Sequence, residues 1–158
     1  MVSTCRAACA AATIGMLLTT AAIAQTNGPG VTDKEIKIGQ TMPYSGPVSA
    51  WSVQGRVDLA YMKRLNAKGG INGRTVKLLS LDDGFSPPKA VERVRELVES
   101  EKVLGLFGSV GTVPNVAVAK YLNQKKVPHL VISSAAGVFA NPSTYPWSTA
   151  FYMLQPTE

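Results

Sequence analysis

The sequence is 158 residues long, 46% hydrophobic and 16% charged, with a mean hydropathy of +0.10. That balance excludes a disordered or low-complexity chain and suits a single globular domain with one core. The net charge of +6 comes from basic residues (Lys63, Arg64, Lys68, Arg74, Arg93, Arg95) interleaved with Glu92, Glu96, Glu99 and Glu101, whereas a nucleic-acid surface gathers its charge into a stripe with aromatics between; no nucleic-acid partner is expected.

The first 24 residues read as a cleavable signal peptide. Arg6 provides the positive start, Ala7 to Ala24 carry no charge, and Ala22-Ile23-Ala24 supply the small-x-small pattern for cleavage before Gln25. The scattered Thr, Ser and Gly residues and the lack of a basic flank argue against a membrane-spanning helix. Cys5 and Cys9 are the only cysteines, so residues 25–158 are expected to hold no disulfide, no Cys-based metal site and no thiol nucleophile. A periplasmic location follows as the expectation.

Next, Glu35 to Gln40 alternate as a strand. Pro43 to Pro47 form a loop, and Ser49 is placed to cap a helix whose apolar stripe is Val53, Val57, Ala60, Tyr61 and Leu65, ending at Gly69-Gly70. Asn72-Gly73 turn the chain into a second strand, Thr75 to Leu81, which stops at Asp82-Asp83. Ser86-Pro87-Pro88 start a second helix with proline where its missing N–H is harmless, and Ala90, Val91, Val94, Leu97 and Val98 form its buried face. A third strand is expected over Val103 to Phe107, a third helix from about Pro114 to Gln124 with Val116, Ala119 and Leu122 inward, and a fourth strand over Pro128 to Ile132. This alternation predicts an α/β fold: a parallel sheet with helices on both faces.

Right-handed crossovers put the C-terminal ends of all these strands on one edge, where such sheets bind ligands. The loops that matter are therefore Met42–Trp51, Asp82–Ser86, Gly108–Asn115 and Ser133–Phe139. They are rich in Gly, Ser, Thr and Ala and poor in titrating groups. Gly108-Ser109-Val110-Gly111-Thr112 leads into a helix N-terminus, whose free N–H groups and dipole favour an anion. Ser133 to Gly137 make a second small, donor-rich turn on the same edge. Tight turns of small residues with no ligand remain the alternative. No dinucleotide or P-loop fingerprint is present. Asp82-Asp83 read as turn and cap acceptors. A hydrolase would need Ser109 or Ser133 as nucleophile with His129, the sole histidine, but that residue lies inside an apolar strand; catalysis, metals and cofactors are not expected.

Several segments resemble the leucine/isoleucine/valine-type substrate-binding proteins of ABC transporters: Ile38-Gly39-Gln40-Thr41 with Ser45-Gly46-Pro47, the run from Asn66 to Arg74, Leu81-Asp82-Asp83 with Pro88, Ala90 and Val91, Gly108-Ser109 with Thr112, Val127-Pro128, and Ser133 to Gly137. In order and spacing the likeness runs from about Val31 to Glu158. It implies lobe 1 of a two-lobed, type I periplasmic-binding fold, residues 25–158, with the second lobe missing and Phe151 to Glu158 crossing toward it. It also implies a non-catalytic clamp that captures an amino acid or related small carboxylate, acts as a monomer when full length and delivers its solute to the membrane permease. A sensor or receptor ectodomain is the alternative use of the same clamp. By the same resemblance Ser109 holds the ligand carboxylate, Thr112 and Ala136 line the site, the Ala135 carbonyl receives an ammonium, and Trp51 packs on the ligand. Gly137 stands where amino-acid binders carry a threonine, and Trp51 is wider than the usual tyrosine, which loosens the expectation of leucine as the ligand.

Overall fold

The computed structural model describes residues 27–151; the expected signal peptide and the expected crossing segment beyond Phe151 lie outside the described residues. The strands are β1 (Glu35–Met42), β2 (Thr75–Asp82), β3 (Leu106–Phe107), β4 (His129–Ile132) and β5 (Ser148–Ala150). The helices are α1 (Val53–Ala67), α2 (Pro87–Arg95), extended by a π-helical turn over Glu96–Ser100, and α3 (Thr112–Lys125). All five strands are parallel, in the order β2-β1-β3-β4-β5. β1 and β2 pair in one register from Glu35 opposite Thr75 to Met42 opposite Asp82.

The core lies on the α2/α3 face. Ala90, Val94, Leu97, Val103, Leu106, Val118 and Leu122 are buried together, with Leu79, Leu81, Val91 and Val98 packed against them. The stripe expected on α2 is therefore the one that is buried. A smaller cluster, Ala119, Ile132 and Phe139, seals the far end beneath Ala150 and Tyr145.

Four expectations need correction. The apolar stripe on α1 faces outward: Val53, Val57 and Tyr61 are each about 60% exposed, and the helix buries Gly55 instead. A Cβ at Gly55 would stand 2.9 Å from Met42 Cγ, so α1 lies close to the sheet on a face chosen for small and polar residues. On α3, Val116 points out, and the inward stripe is Asn115, Val118, Ala119 and Leu122, at i, i+3, i+4 and i+7. The third strand keeps only Leu106–Phe107, although hydrogen bonds from Leu104 N–H to Lys37 O (2.8 Å) and from Gly39 N–H to Gly105 O (2.9 Å) begin its ladder earlier. Neither Ser49 nor Ser86 caps with its side chain; Ser86 closes the first turn of α2 through its carbonyl, which accepts from Ala90 N–H at 2.8 Å. Strand β5 was not expected, since three residues after Tyr145-Pro146-Trp147 are too few to show a period.

His129 sits fully buried in β4, level with Leu106 and Ser148 on the neighbouring strands, and among the described residues neither ring nitrogen has a hydrogen-bond partner. Burial holds its pKa down to about 3, so the ring is neutral in the fold and protonates near 6.5 when unfolded. The unfolded chain binds the extra proton between those values, so this contribution to stability is lost as pH falls from about 6.5 toward 3, at about 1.4 kcal/mol per unit. His129→Leu is expected to keep the pH 7 melting temperature and to flatten the decline between pH 6.5 and 4; an unchanged acid slope in thermal melts would count against this assignment.

Candidate functional site

The loop after β1 leads to β2 on one side of the sheet, while the loop after β3 leads to β4 on the other. Between adjacent strands whose connections part in this way a crevice opens at the C-terminal ends. Here it is a half-open cleft of about 500 Å³ lined by Trp51, Val53, Gln54, Val110 and Ser133. Three rim segments are joined by backbone hydrogen bonds: Val110 N–H to Thr41 O (3.4 Å), Ser133 N–H to Ser109 O (3.0 Å) and Gly111 N–H to Ser133 O (3.1 Å). The two loops singled out in the sequence thus meet at one rim.

Beneath the cleft, α1 is attached to the sheet by a continuous polar seam. Tyr44 Oη and Ser80 Oγ are 2.7 Å apart, and Ser80 donates to Gln40 Oε1 (2.8 Å). Gln40 Nε2 donates to Asp58 Oδ2 (2.7 Å) and to Gly108 O (3.3 Å). The same carbonyl accepts from Gln54 Nε2 (3.0 Å), and Gln54 Oε1 accepts from Ser133 Oγ (2.9 Å). Every member is matched, as a buried polar network must be to avoid a net cost. Gln54 was not singled out in the sequence; its position three residues after Trp51, one helical turn on, was the available signal.

The site residues expected from the sequence fall into two groups. Trp51 is half exposed and meets the Phe85 ring edge-on, centroids 5.5 Å apart at 81°. Thr112 opens α3, its Oγ1 is 2.8 Å from Ser134 Oγ, and Ser134 Oγ accepts from Ala136 N–H at 3.2 Å. No side chain caps α3, so the first-turn N–H groups of Thr112 and Val113 have no intrahelical partner. Ala135, Ala136 and Gly137 are half-buried, and among the described residues the Ala135 carbonyl takes no hydrogen bond. Ser109 is different. It has no exposed surface, and its Oγ accepts from Thr41 N–H at 3.2 Å, so its hydroxyl fastens β1 to the segment after β3 below the rim. Its expected direct grip on a carboxylate is not offered by this arrangement.

Among the described residues, the serines and the histidine weighed above do not pair. Ser133 is bonded to Gln54, Ser109 to Thr41, and His129 to neither. The adjacent carboxylates after β2 have opposite surroundings. Burial works to raise Asp82, but hydrogen bonds from Lys89, Ser45 and the Gly84 and Ser45 N–H groups outweigh it and hold the carboxyl far below the usual range. Asp83 is fully buried and pushed up by burial, opposed only in part by Phe85 N–H and the Thr41 hydroxyl.

Gln54→Leu removes a donor from Gly108 O and leaves Ser133 Oγ without its acceptor, a loss expected to cost about 1–3 kcal/mol. Ser133→Ala should cost less. Because the two side chains share one bond, the double variant should lose less than the sum of the single losses. Urea denaturation of the three variants checks this, and strict additivity would deny the coupling.

Residues 35–157 match the periplasmic binding protein family. The chain is 28% identical over 110 residues to Leu/Ile/Val-binding protein homolog 7 of Brucella abortus (strain 2308), an alignment covering 69% of this chain and 27% of that protein. Among solved structures, it is similar to an extracellular ligand-binding receptor from Rhodopseudomonas palustris HaA2 (31% identity, TM-score 0.59, 78% of this chain and 32% of that one). It also resembles the branched-chain amino acid transporter substrate binding protein of Streptococcus pneumoniae in complex with isoleucine (25% identity, TM-score 0.55, 61% and 28%). The chain thus spans about a quarter to a third of the length of these relatives. With the parallel sheet, the switch-point cleft and this match in agreement, the chain belongs to the periplasmic binding protein family, in its leucine/isoleucine/valine type.

Proposed function

We propose that this chain forms the first jaw of a solute-binding protein for an ABC uptake transporter. Residues 25–158 follow a cleavable signal, work in the periplasm, capture an amino acid or a related small carboxylate and hand it to a membrane permease. The observation that carries this reading is the cleft at the strand ends, lined by a half-exposed Trp51 and by Val110 and Ser133; the uncapped start of α3 follows Val110 by two residues and the Ala135 carbonyl follows Ser133 by two. These parts suit an α-amino acid: N–H groups at a helix start for its carboxylate, a carbonyl for its ammonium and an indole face for its side chain. The names of the relatives, taken from binding and transport of branched-chain amino acids, agree with a non-catalytic role.

Within this reading the carboxylate is gripped by the N–H groups and hydroxyl of Thr112 and its neighbour, while Ser109 fixes the loop that presents them. Gly137 provides no hydroxyl where amino-acid binders of this type carry threonine. The wide indole and the apolar flank of Val53 and Val110 favour a large or aromatic side chain over a small aliphatic one. A second reading, a receptor ectodomain, is supported by the similarity to the Rhodopseudomonas palustris extracellular ligand-binding receptor; co-purification with permease subunits separates the two.

A single jaw covers its solute on one side, so its affinity is expected to be weak, with a Kd of about 1 mM or above. Titrations with L-phenylalanine, L-isoleucine and benzoate, followed by Trp51 fluorescence in a Trp147→Phe background, are expected to saturate, and Trp51→Ala should lower the thermal shift produced by the same compounds. If none of the three gives a saturable signal, the proposed solute class is wrong.

A further inference from the structure

The aromatic wall of the cleft depends on an unusual turn. Gly84 and Phe85, between β2 and α2, both have positive φ, 57° and 60°. For glycine this is free of strain, but for a bulky residue such as Phe85 it is an outlier that the surroundings must impose. Two contacts hold Phe85 in place. Its N–H donates to Asp83 Oδ1 at 2.8 Å, and its ring lies against Gly111, where any side chain would run into it. From there the ring meets Trp51. Asp83 therefore stands behind the indole at two removes, through one hydrogen bond and one ring contact.

Asp83 is itself anomalous. It has no exposed surface, and among the described residues its Oδ2 has no hydrogen-bond partner. The charges that could settle an ionised carboxylate there are already used. Lys89, from α2, is paired with Asp82 at 2.7 Å, and Asp82 adds a like charge next door. β1 contributes only the Thr41 hydroxyl. On α3, Asn115 has its amide N–H committed to the Gly111 and Ser109 carbonyls. No cation is left over for Asp83 among these groups. A buried ion left unpaired is far more costly than the neutral group.

We propose that Asp83 is a positioning residue for the aromatic wall of the cleft, carrying a proton on Oδ2 while its Oδ1 receives the Phe85 N–H. The proton removes a charge that no neighbouring cation balances, and the neutral carboxyl keeps Phe85 in its strained conformation and Trp51 upright against it. Asp82, one residue earlier and on the opposite face of the strand, stays ionised and ties Ser45 to Lys89. Adjacent carboxylates with separated protonation states are a known way for one fold to use the same side chain in two roles. The inference concerns the wall of the cleft read above as the solute site, yet its test needs no solute.

The test compares the chain with its Asp83→Asn and Asp83→Ala variants in a Trp147→Phe background. Asparagine reproduces the neutral carboxyl, with an amide N–H in place of the acid O–H. Asp83→Asn is expected to fold at pH 7 with the parent's Trp51 emission maximum. Asp83→Ala, with no acceptor for the Phe85 N–H, should melt lower and shift Trp51 emission to the red. An acid whose folded pKa is raised is unstable relative to the asparagine variant once the unfolded group ionises. The parent's folding constant should therefore fall relative to that of Asp83→Asn by up to tenfold per pH unit above about pH 4, until the native group ionises as well. An infrared band of unionised carboxyl should persist at pH 6 in the parent and be absent from Asp83→Asn. If Asp83→Asn is as damaged as Asp83→Ala, or if the parent gains on Asp83→Asn as pH rises, the proposal is overturned. Should Asp83→Ala fail to fold, the pH comparison and the infrared band still decide it. Success here with no saturable solute binding would retire only the proposed function.

Discussion

The carbonyl of Gly108 is the point on which the rim depends. It accepts from the amides of both Gln40 and Gln54, so one peptide group joins β1, α1 and the end of β3. Hydrophobic packing has no preferred direction, and a helix laid on a sheet by apolar contact alone can slide or roll by a fraction of a turn. Amide-to-carbonyl bonds of about 3 Å weaken steeply when bent, so they fix both the axial position and the rotation of α1. That rotation sets where Trp51 and Gln54 stand, and through the bond from Ser133 to Gln54 it reaches the end of β4.

This constraint also explains which parts of the sequence were readable. Ala90, Val94 and Leu97 show their burial in the spacing, because α2 meets the sheet through apolar contact and the period records it. On α1 the same reasoning selects Val53, Val57 and Tyr61 and lands on the wrong face, since the contact there is made by Gly55, Gln54 and Asp58 and hydrophobic periodicity does not register a polar seam. The cleft was legible as a place, because the order of strands and helices fixes where their C-terminal ends lie. Its chemistry was legible only in part. Trp51 lines the cleft and Thr112 opens α3, but nothing in the string Gly108-Ser109-Val110 says that the serine turns inward to Thr41. A hydroxyl beside three small residues can point either way, and the choice is made by an N–H on β1, 68 residues away in sequence.

The two faces of the sheet divide the work. The α2/α3 side holds the apolar core and also the groups whose charge is suppressed, neutral His129 deep in β4 and Asp83 at its rim. The α1 side holds the matched polar seam, with an ionised Asp82 on its flank. Burial is the common cause: where no donor or counter-charge is within reach, the neutral form prevails, and where Lys89, Ser45 and backbone N–H groups converge, the charge is kept. Loops of such different character can meet at one rim because the joints between them are backbone hydrogen bonds, from Val110 to Thr41 and between Ser133 and its two neighbours, which are indifferent to side-chain chemistry.

A rim assembled in this way is pre-shaped, and pre-shaping changes what a solute must supply. The loops are already fastened, so little conformational entropy is spent on ordering them when a guest arrives. What the half-open cleft lacks is exclusion of water. N–H groups at the start of α3 attract a carboxylate weakly while solvent screens them and strongly once the dielectric around them falls. On the proposed reading, those donors are therefore worth most when something closes over the solute. On that reading selectivity comes from covering, and the exposed apolar surfaces of Trp51 and Val53 are those across which the covering would expel water.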